Sequence, residues 1–262
     1  TIKQPKDPVL QDQDVIDYLH KLHEKFVLAP ADKAGNNVII ICKQFYFQCL
    51  VHELELDNTK SQTSTYKKVD LSVSDIVKSH QQYLSKHNIQ LKDKDLALPK
   101  IYALPKLHKN PYKFCFIVGS KFCSTKNLSV LLTKGLEKVQ QYWKNSCGQI
   151  AANSGVERFW ILRNSQALLE NIGESSKLSY KDISTWDFST LYTTIPHTDL
   201  KERIKSLIYK TFKKNKFGNL IITSSKAFFG EATGNQTSLD YSTFVELFDF
   251  LIDNIYVQFG DS

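Results

Sequence analysis

Residues 38–42 read VIIIC, a continuous apolar and largely β-branched run of strand length, entered through the turn-rich loop APADKAGNN. Branching at Cβ stiffens these side chains and suits them to a pleated surface. An apolar run without polar alternation predicts a strand buried on both faces. A second run of this kind, FCFIVGS, occupies 114–120. Any fold for this chain must therefore place two short strands among segments of quite different periodicity.

Those other segments are helical. Val15, Tyr18, Leu19, Leu22 and Phe26 share one face of a helix over 14–26, with Pro30 as its stop. Helical spacing returns at 45–54, and again from a Ser74 cap through Leu84, where Ile76, Val77 and His80 face inward. It recurs at 128–143, from Asn153 or Ser154 through Ile172, at 199–214 (Leu200, Ile204, Leu207, Ile208, Phe212 inward) and at 244–255. Prolines at 99, 105 and 111 exclude one regular element across 98–112, since each ring fixes φ and removes a donor. The polar tract 57–68 reads as a loop or ragged hairpin, 173–179 as a linker, 183–194 as a strand, 216–239 as a loop or hairpin insertion, and YVQFGDS as a closing strand. Irregular alternation with long loops predicts an α+β fold, helix-rich with a small mixed or antiparallel sheet.

No apolar run approaches the roughly 20 residues that cross a bilayer, so the expectation is an intracellular protein without a membrane partner. The chain contains no methionine, even at position 1, and so reads as a piece of a longer product. Five scattered cysteines lack zinc-knuckle spacing and read as ordinary thiols in a reducing compartment. The seven histidines are scattered too, and no G-x-S-x-G elbow, P-loop or Rossmann fingerprint is present.

The net charge is +7, and it is unevenly spread. From Lys100 to Lys144 there are nine lysines against one acid, Glu137, interleaved with Tyr102, His108, Tyr112, Phe114, Phe116 and Phe122. A solvated basic face is one reading of this run. The mixture of cations and rings favours the other, a single-stranded nucleic-acid surface on which Lys100, Lys113, Lys121 and Lys126 meet the strand.

The segment STWDFSTLYTTIPH (184–197) sets Asp187 at the end of a predicted strand and Tyr192 five residues on. A carboxylate at a strand tip suits a divalent cation, which takes a few hard oxygen ligands; capping the next turn is the ordinary alternative. DFSTLYTTIPH resembles the first palm motif of the reverse transcriptases of Penelope-like retroelements. ADKAGNNVIIICKQFYFQCL (31–50), LPKLHKNPYKFCFIVGSKFCSTKNLSVLLTK (104–134), SGVERFWILRNSQALLENI (154–172) and FLIDNIYVQFGDS (250–262) are similar to segments of that family in the same order.

The resemblance implies a partial right-hand polymerase, with an amino-terminal region and fingers over 1–180 and an incomplete palm over 181–262. It implies RNA-directed DNA polymerase chemistry on an RNA template and DNA primer, with a deoxynucleoside triphosphate and Mg²⁺, in the nucleus. Asp187 and the backbone carbonyl of Phe188 would hold the metal. Tyr192 would lie under the nucleotide sugar, and the backbone of Thr190 and Leu191 would face the triphosphate. Lys106 matches the phosphate-binding fingers lysine, with Lys109 as a second candidate for phosphate or template backbone. Two departures stand out: Cys115 holds the place of a family arginine, and neither the glycine-containing template-grip motif nor Tyr-x-Asp-Asp occurs in these 262 residues. The expectation is a segment that does not polymerise alone. A non-catalytic nucleic-acid-binding relic or domesticated module using 100–144 is the alternative, and a protein-interaction domain is a third.

Overall fold

The computed structural model describes residues 12–57, 65–91, 96–162, 164–174, 184–186, 194–215, 218–234 and 236–260. It is an α+β protein of seven helices and small antiparallel sheets among those residues, divided into two compact units, Thr1–Lys126 with Tyr256–Ser262 and Asn127–Ile255. The expected boundary near 180 falls on residues outside the described ones.

The first unit opens with α1 (Gln13–Lys25), capped by the Asp12 carboxylate, which accepts from the Asp14 amide at 2.9 Å. Its apolar face is only partly used: Tyr18 is 68% exposed and no residue of α1 is fully buried. The helix ends because Phe26 turns extended, not because of Pro30, which lies inside the next strand. β1 (Phe26–Ala31) and β2 (Ala34–Cys42) form an antiparallel hairpin whose turn holds Lys33 at φ 63°.

This hairpin overturns the two-face burial expected for VIIIC. Ile41 and Ala29 point into the core, while Val38 (69% exposed) and Ile40 (58%) face outward opposite Pro30 and Leu28. A two-stranded sheet covered on one side buries alternate residues whatever the side-chain composition. On the covered side, α2 (Lys43–Glu53) contributes Tyr46 and Leu50 to a core with Ile101 and Ala103, against which Phe114, Phe116, Val257 and Phe259 pack.

α3 (Val73–Lys86) is capped by Ser72 rather than Ser74; the Ser72 hydroxyl accepts from the Asp75 amide at 3.1 Å. Its buried Ile76 and Val77 pack with Leu98, Val73 and Tyr256, while His80 is held at 2.8 Å from the Ser124 hydroxyl. β3 (Lys100–Lys106) and β4 (Lys113–Gly119) complete the unit as a second antiparallel hairpin.

In the second unit, α4 (Lys126–Ser154) is longer than its apolar stripe predicted and runs through the position expected to cap the next helix. Gly155, at φ 69°, ends it in the left-handed conformation with its amide bonded to the Ala151 carbonyl at 2.7 Å. Residues 155–162 are irregular, and α5 (Ser165–Glu174) starts only after Asn164, whose side chain accepts from the Ala167 amide.

α6 (His197–Lys214) buries Ile208, Thr211 and Phe212; Leu207, expected inside, is 37% exposed. The stretch 216–239 holds three-residue strands, β5 (Leu220–Ile222) flanked by β6 (Ala227–Phe229) and β7 (Thr237–Leu239). β5 and β6 form the hairpin expected here, but it is not a peripheral insertion: Leu220 and Ile221 are fully buried, as are Phe244 and Leu247 of α7 (Tyr241–Asp253). Lys201 and Lys205 of α6 pair with Asp253 and Asp249 of α7.

Candidate nucleic-acid interface

The β3–β4 hairpin decides which members of the basic, aromatic run reach solvent. Directly opposed residues of an antiparallel pair project from the same face. Ile101, Ala103 and Pro105 are buried, so their partners Val118, Phe116 and Phe114 share the inner face. The outer face therefore carries Lys100 with Gly119, Tyr102 with Ile117, Leu104 with Cys115, and Lys106 with Lys113. Phe114 and Phe116, expected among the stacking rings, belong instead to the core.

Pro105 is tolerated inside β3 because odd-numbered residues turn their backbone groups away from β4. That far edge is satisfied in sequence by three different segments. The Gln258 amide donates to the Pro99 carbonyl at 2.8 Å, and the Ile101 amide donates to the Gln258 carbonyl at 3.1 Å. The Ala103 amide donates to the Tyr46 hydroxyl at 2.8 Å, and the Pro105 carbonyl accepts from the Asp32 amide at 3.0 Å. A missing amide at Pro105 breaks no ladder bond, and the strand continues through it. YVQFGDS thus contributes a single parallel bridge beside Lys100 rather than a full strand.

The result is a rigid platform with a cationic outer side. Lys106 and Lys113 sit directly opposite each other, an arrangement of like charges that costs stability on its own and that a bound polyanion relieves. Tyr102 is 41% exposed and its ring lies over Gly119, where an added Cβ would meet Cε1 at 3.5 Å. Lys100 lies two residues from Tyr102 on the same face. Lys109 is exposed in the connecting turn, its amide donating to the Lys106 carbonyl. Beyond β4, exposed Lys121 stands 5.1 Å from the Phe122 ring, and Lys126 is half-buried at the start of α4.

The nine-lysine run is not one surface of one unit. Lys100, Lys106, Lys109, Lys113, Lys121 and Lys126 belong to the first unit, and Lys134, Lys138 and Lys144 to the second. Sequence reasoning also missed Asp32 and Tyr46, which hold the platform's edge; nothing in their local pattern marks them for that task.

Asp187, Phe188, Thr190, Leu191 and Tyr192 lie outside the described residues. The described residues of the expected strand, 184–186 and 194, have no strand structure, and Trp186 is 91% exposed. Among the described residues there is no group of three or more His, Cys, Asp or Glu side chains that could hold a metal ion. Among them, too, no helix is long and apolar enough to cross a membrane. Comparison with protein-family models, curated proteins and solved structures gave no match.

Proposed function

We propose that this chain binds single-stranded RNA through the outer face of β3–β4, as the fingers portion of a reverse transcriptase of the Penelope-like type, with Asp187 and Tyr192 serving an incoming deoxynucleotide. The observation that carries the binding half is the grouping of Lys100, Lys106 and Lys113 with Tyr102 on one face of a two-stranded platform. Cations at alternate strand positions meet phosphates, and an exposed ring beside them stacks on a base. Cys115 shares this face with Lys106, so a thiol stands where the resemblance puts a guanidinium. A neutral thiol offers no bidentate phosphate contact, which weakens triphosphate binding relative to strand binding.

The same geometry serves a non-catalytic nucleic-acid-binding module equally well, and one experiment separates the two. Labelled single-stranded RNA is titrated at low and high salt, then primer-template with Mg²⁺ is titrated with and without the complementary deoxynucleoside triphosphate. Phosphate-driven binding of a single strand weakens steeply with salt, with a log–log slope of about 0.7 per phosphate contact. The polymerase reading predicts that the matching triphosphate tightens the complex and that Asp187→Ala removes that gain. Indifference to the triphosphate favours the binding module, and absence of binding at low salt removes both.

A further inference from the structure

We infer that the second unit carries a separate site for a nucleoside phosphate, in a cavity walled by α4, the 155–162 segment and the β5–β6 turn. The cavity has a volume of about 460 Å³, within the range of small-ligand pockets. It is absent from any reading of the sequence by periodicity, because its α4 wall is the polar stripe of an amphipathic helix, which ordinarily faces open solvent.

Two local features roof that stripe. Gly155 ends α4 in the left-handed conformation, and the irregular residues after it bring Phe159 and Ile161 into the same lining as Gln141 and Asn145. The distance is consistent: α4 rises roughly 1.5 Å per residue from Asn145 to its end, and the returning chain covers about 3.3 Å per residue. On the other side, the Lys134 ammonium donates to the Thr223 and Ser224 carbonyls at 3.0 and 2.6 Å. That fixes the β5–β6 turn against the helix. Within the turn, the Thr223 hydroxyl accepts from the Lys226 amide at 3.1 Å and donates to the Lys226 carbonyl at 3.0 Å. The wall is built before any ligand arrives.

The lining sets the ligand class. Lys134, Lys138, Lys144 and Lys226 meet one acid, Glu137, among the described residues around the cavity. Lys134 is committed to the turn; Lys138 and Lys144 of α4 and Lys226 of the turn, whose ammonium also stands 5.7 Å from the Phe228 ring, are the cations that can receive an anion. Lys138 is within 3.3 Å of the Gln141 amide oxygen, which orients it along the wall. Gln140, Gln141 and Asn145 supply donors and acceptors, and Phe159 with Ile161 supply an apolar flank. Several lysines around one cavity favour phosphate; side-chain amides and a ring in the same lining favour a base. A bare inorganic anion leaves the amide and aromatic side unused.

This site belongs to the second unit and the β3–β4 face to the first, and the site is tested with that face silenced. In the full chain bearing Lys100→Gln, Lys106→Gln and Lys113→Gln, a fluorescent octadeoxyadenylate is titrated at 50 mM salt, followed by competition with adenosine monophosphate and with inorganic phosphate. Retained binding that falls more than tenfold on adding Lys138→Gln and Lys226→Gln, with an unchanged melting temperature, is the expected result. Adenosine monophosphate displacing the probe identifies a free nucleotide as sufficient; displacement by unlabelled oligonucleotide alone identifies a nucleotide within a strand. Phe159→Ala weakens adenosine monophosphate more than inorganic phosphate. Loss of all binding in the silenced chain, equal competition by inorganic phosphate, or insensitivity to the Lys138 and Lys226 changes overturns the inference. Each leaves the β3–β4 reading to its own test.

Discussion

Two glycines of α4 respond oppositely to the same substitution. Glycine in a helix interior is about 1 kcal/mol less favourable than alanine, so Gly→Ala in α4 stabilises wherever the methyl has room. At Gly148 no heavy atom lies within 4 Å of an added Cβ. Gly148→Ala is expected to gain up to about 1 kcal/mol. At Gly135 the new Cβ would stand 2.6 and 2.7 Å from Cε2 and Cζ of Phe244 and 3.2 Å from Cδ2 of Leu220. Ordinary contact begins near 3.4 Å, so the Phe244 ring must retreat by several tenths of an ångström, and it is fully buried beside Leu247 and Leu220. Overpacking of this kind costs about 1–3 kcal/mol, which outweighs the helix gain. Thermal unfolding followed by circular dichroism should show Gly135→Ala melting several degrees below wild type and Gly148→Ala a few degrees above it, at roughly 2–4 °C per kcal/mol. If the two variants shift together, the approach of α4 to α7 through Gly135 is wrong.

Cys115→Arg places a guanidinium on the outer face with Lys106 and should tighten RNA binding and steepen the salt dependence by about 0.7 in log–log slope, the yield of one added phosphate contact; filter binding across a salt series reads it. Tyr46→Phe removes the hydroxyl that accepts from the buried Ala103 amide and should cost about 1–3 kcal/mol in denaturant unfolding, with the ring packing against Phe114 kept. Asp240 caps α7, and hydrogen bonds from the Thr243 amide and hydroxyl hold its carboxyl below the usual aspartate range. A lowered folded-state value means the cap's contribution is whole above the ordinary value of about 3.9 and is lost as pH falls through the lowered one. Asp240→Ala should therefore cost about 1 kcal/mol near pH 7, and chemical denaturation at falling pH should bring variant and wild type together in the acid range.

Helices were legible wherever apolar residues kept a 3.6 period, as in α3 and α7, because that period survives whatever packs against it. Their ends were less so: Ser72 and Ser74 are both competent caps, and only the backbone geometry selects Ser72. VIIIC announced a strand but not its environment, since an exposed Ile40 and a buried Ile41 are the same letter. A hairpin was one of the readings of 216–239, but the burial of β5 was not legible, because three residues carry no period and Leu220 meets Gly135 of α4, far away in sequence. At the candidate interface the lysines were plain from composition. Which rings accompany them depends on strand parity, which sends Tyr102 outward and Phe114 and Phe116 inward. Tolerance of Pro105 rests on the same parity, which turns its missing amide away from β4, and the Tyr46 and Asp32 contacts along that edge appear in no local pattern.

The direct test of the β3–β4 surface is the salt dependence of single-stranded RNA affinity, measured for wild type and for the Lys100→Gln, Lys106→Gln, Lys113→Gln variant. Three lost phosphate contacts predict a log–log slope shallower by about 2, with weaker binding to every RNA sequence tried. An unchanged slope and affinity in a folded variant would contradict the account, because the outer face of the hairpin would then carry no phosphate.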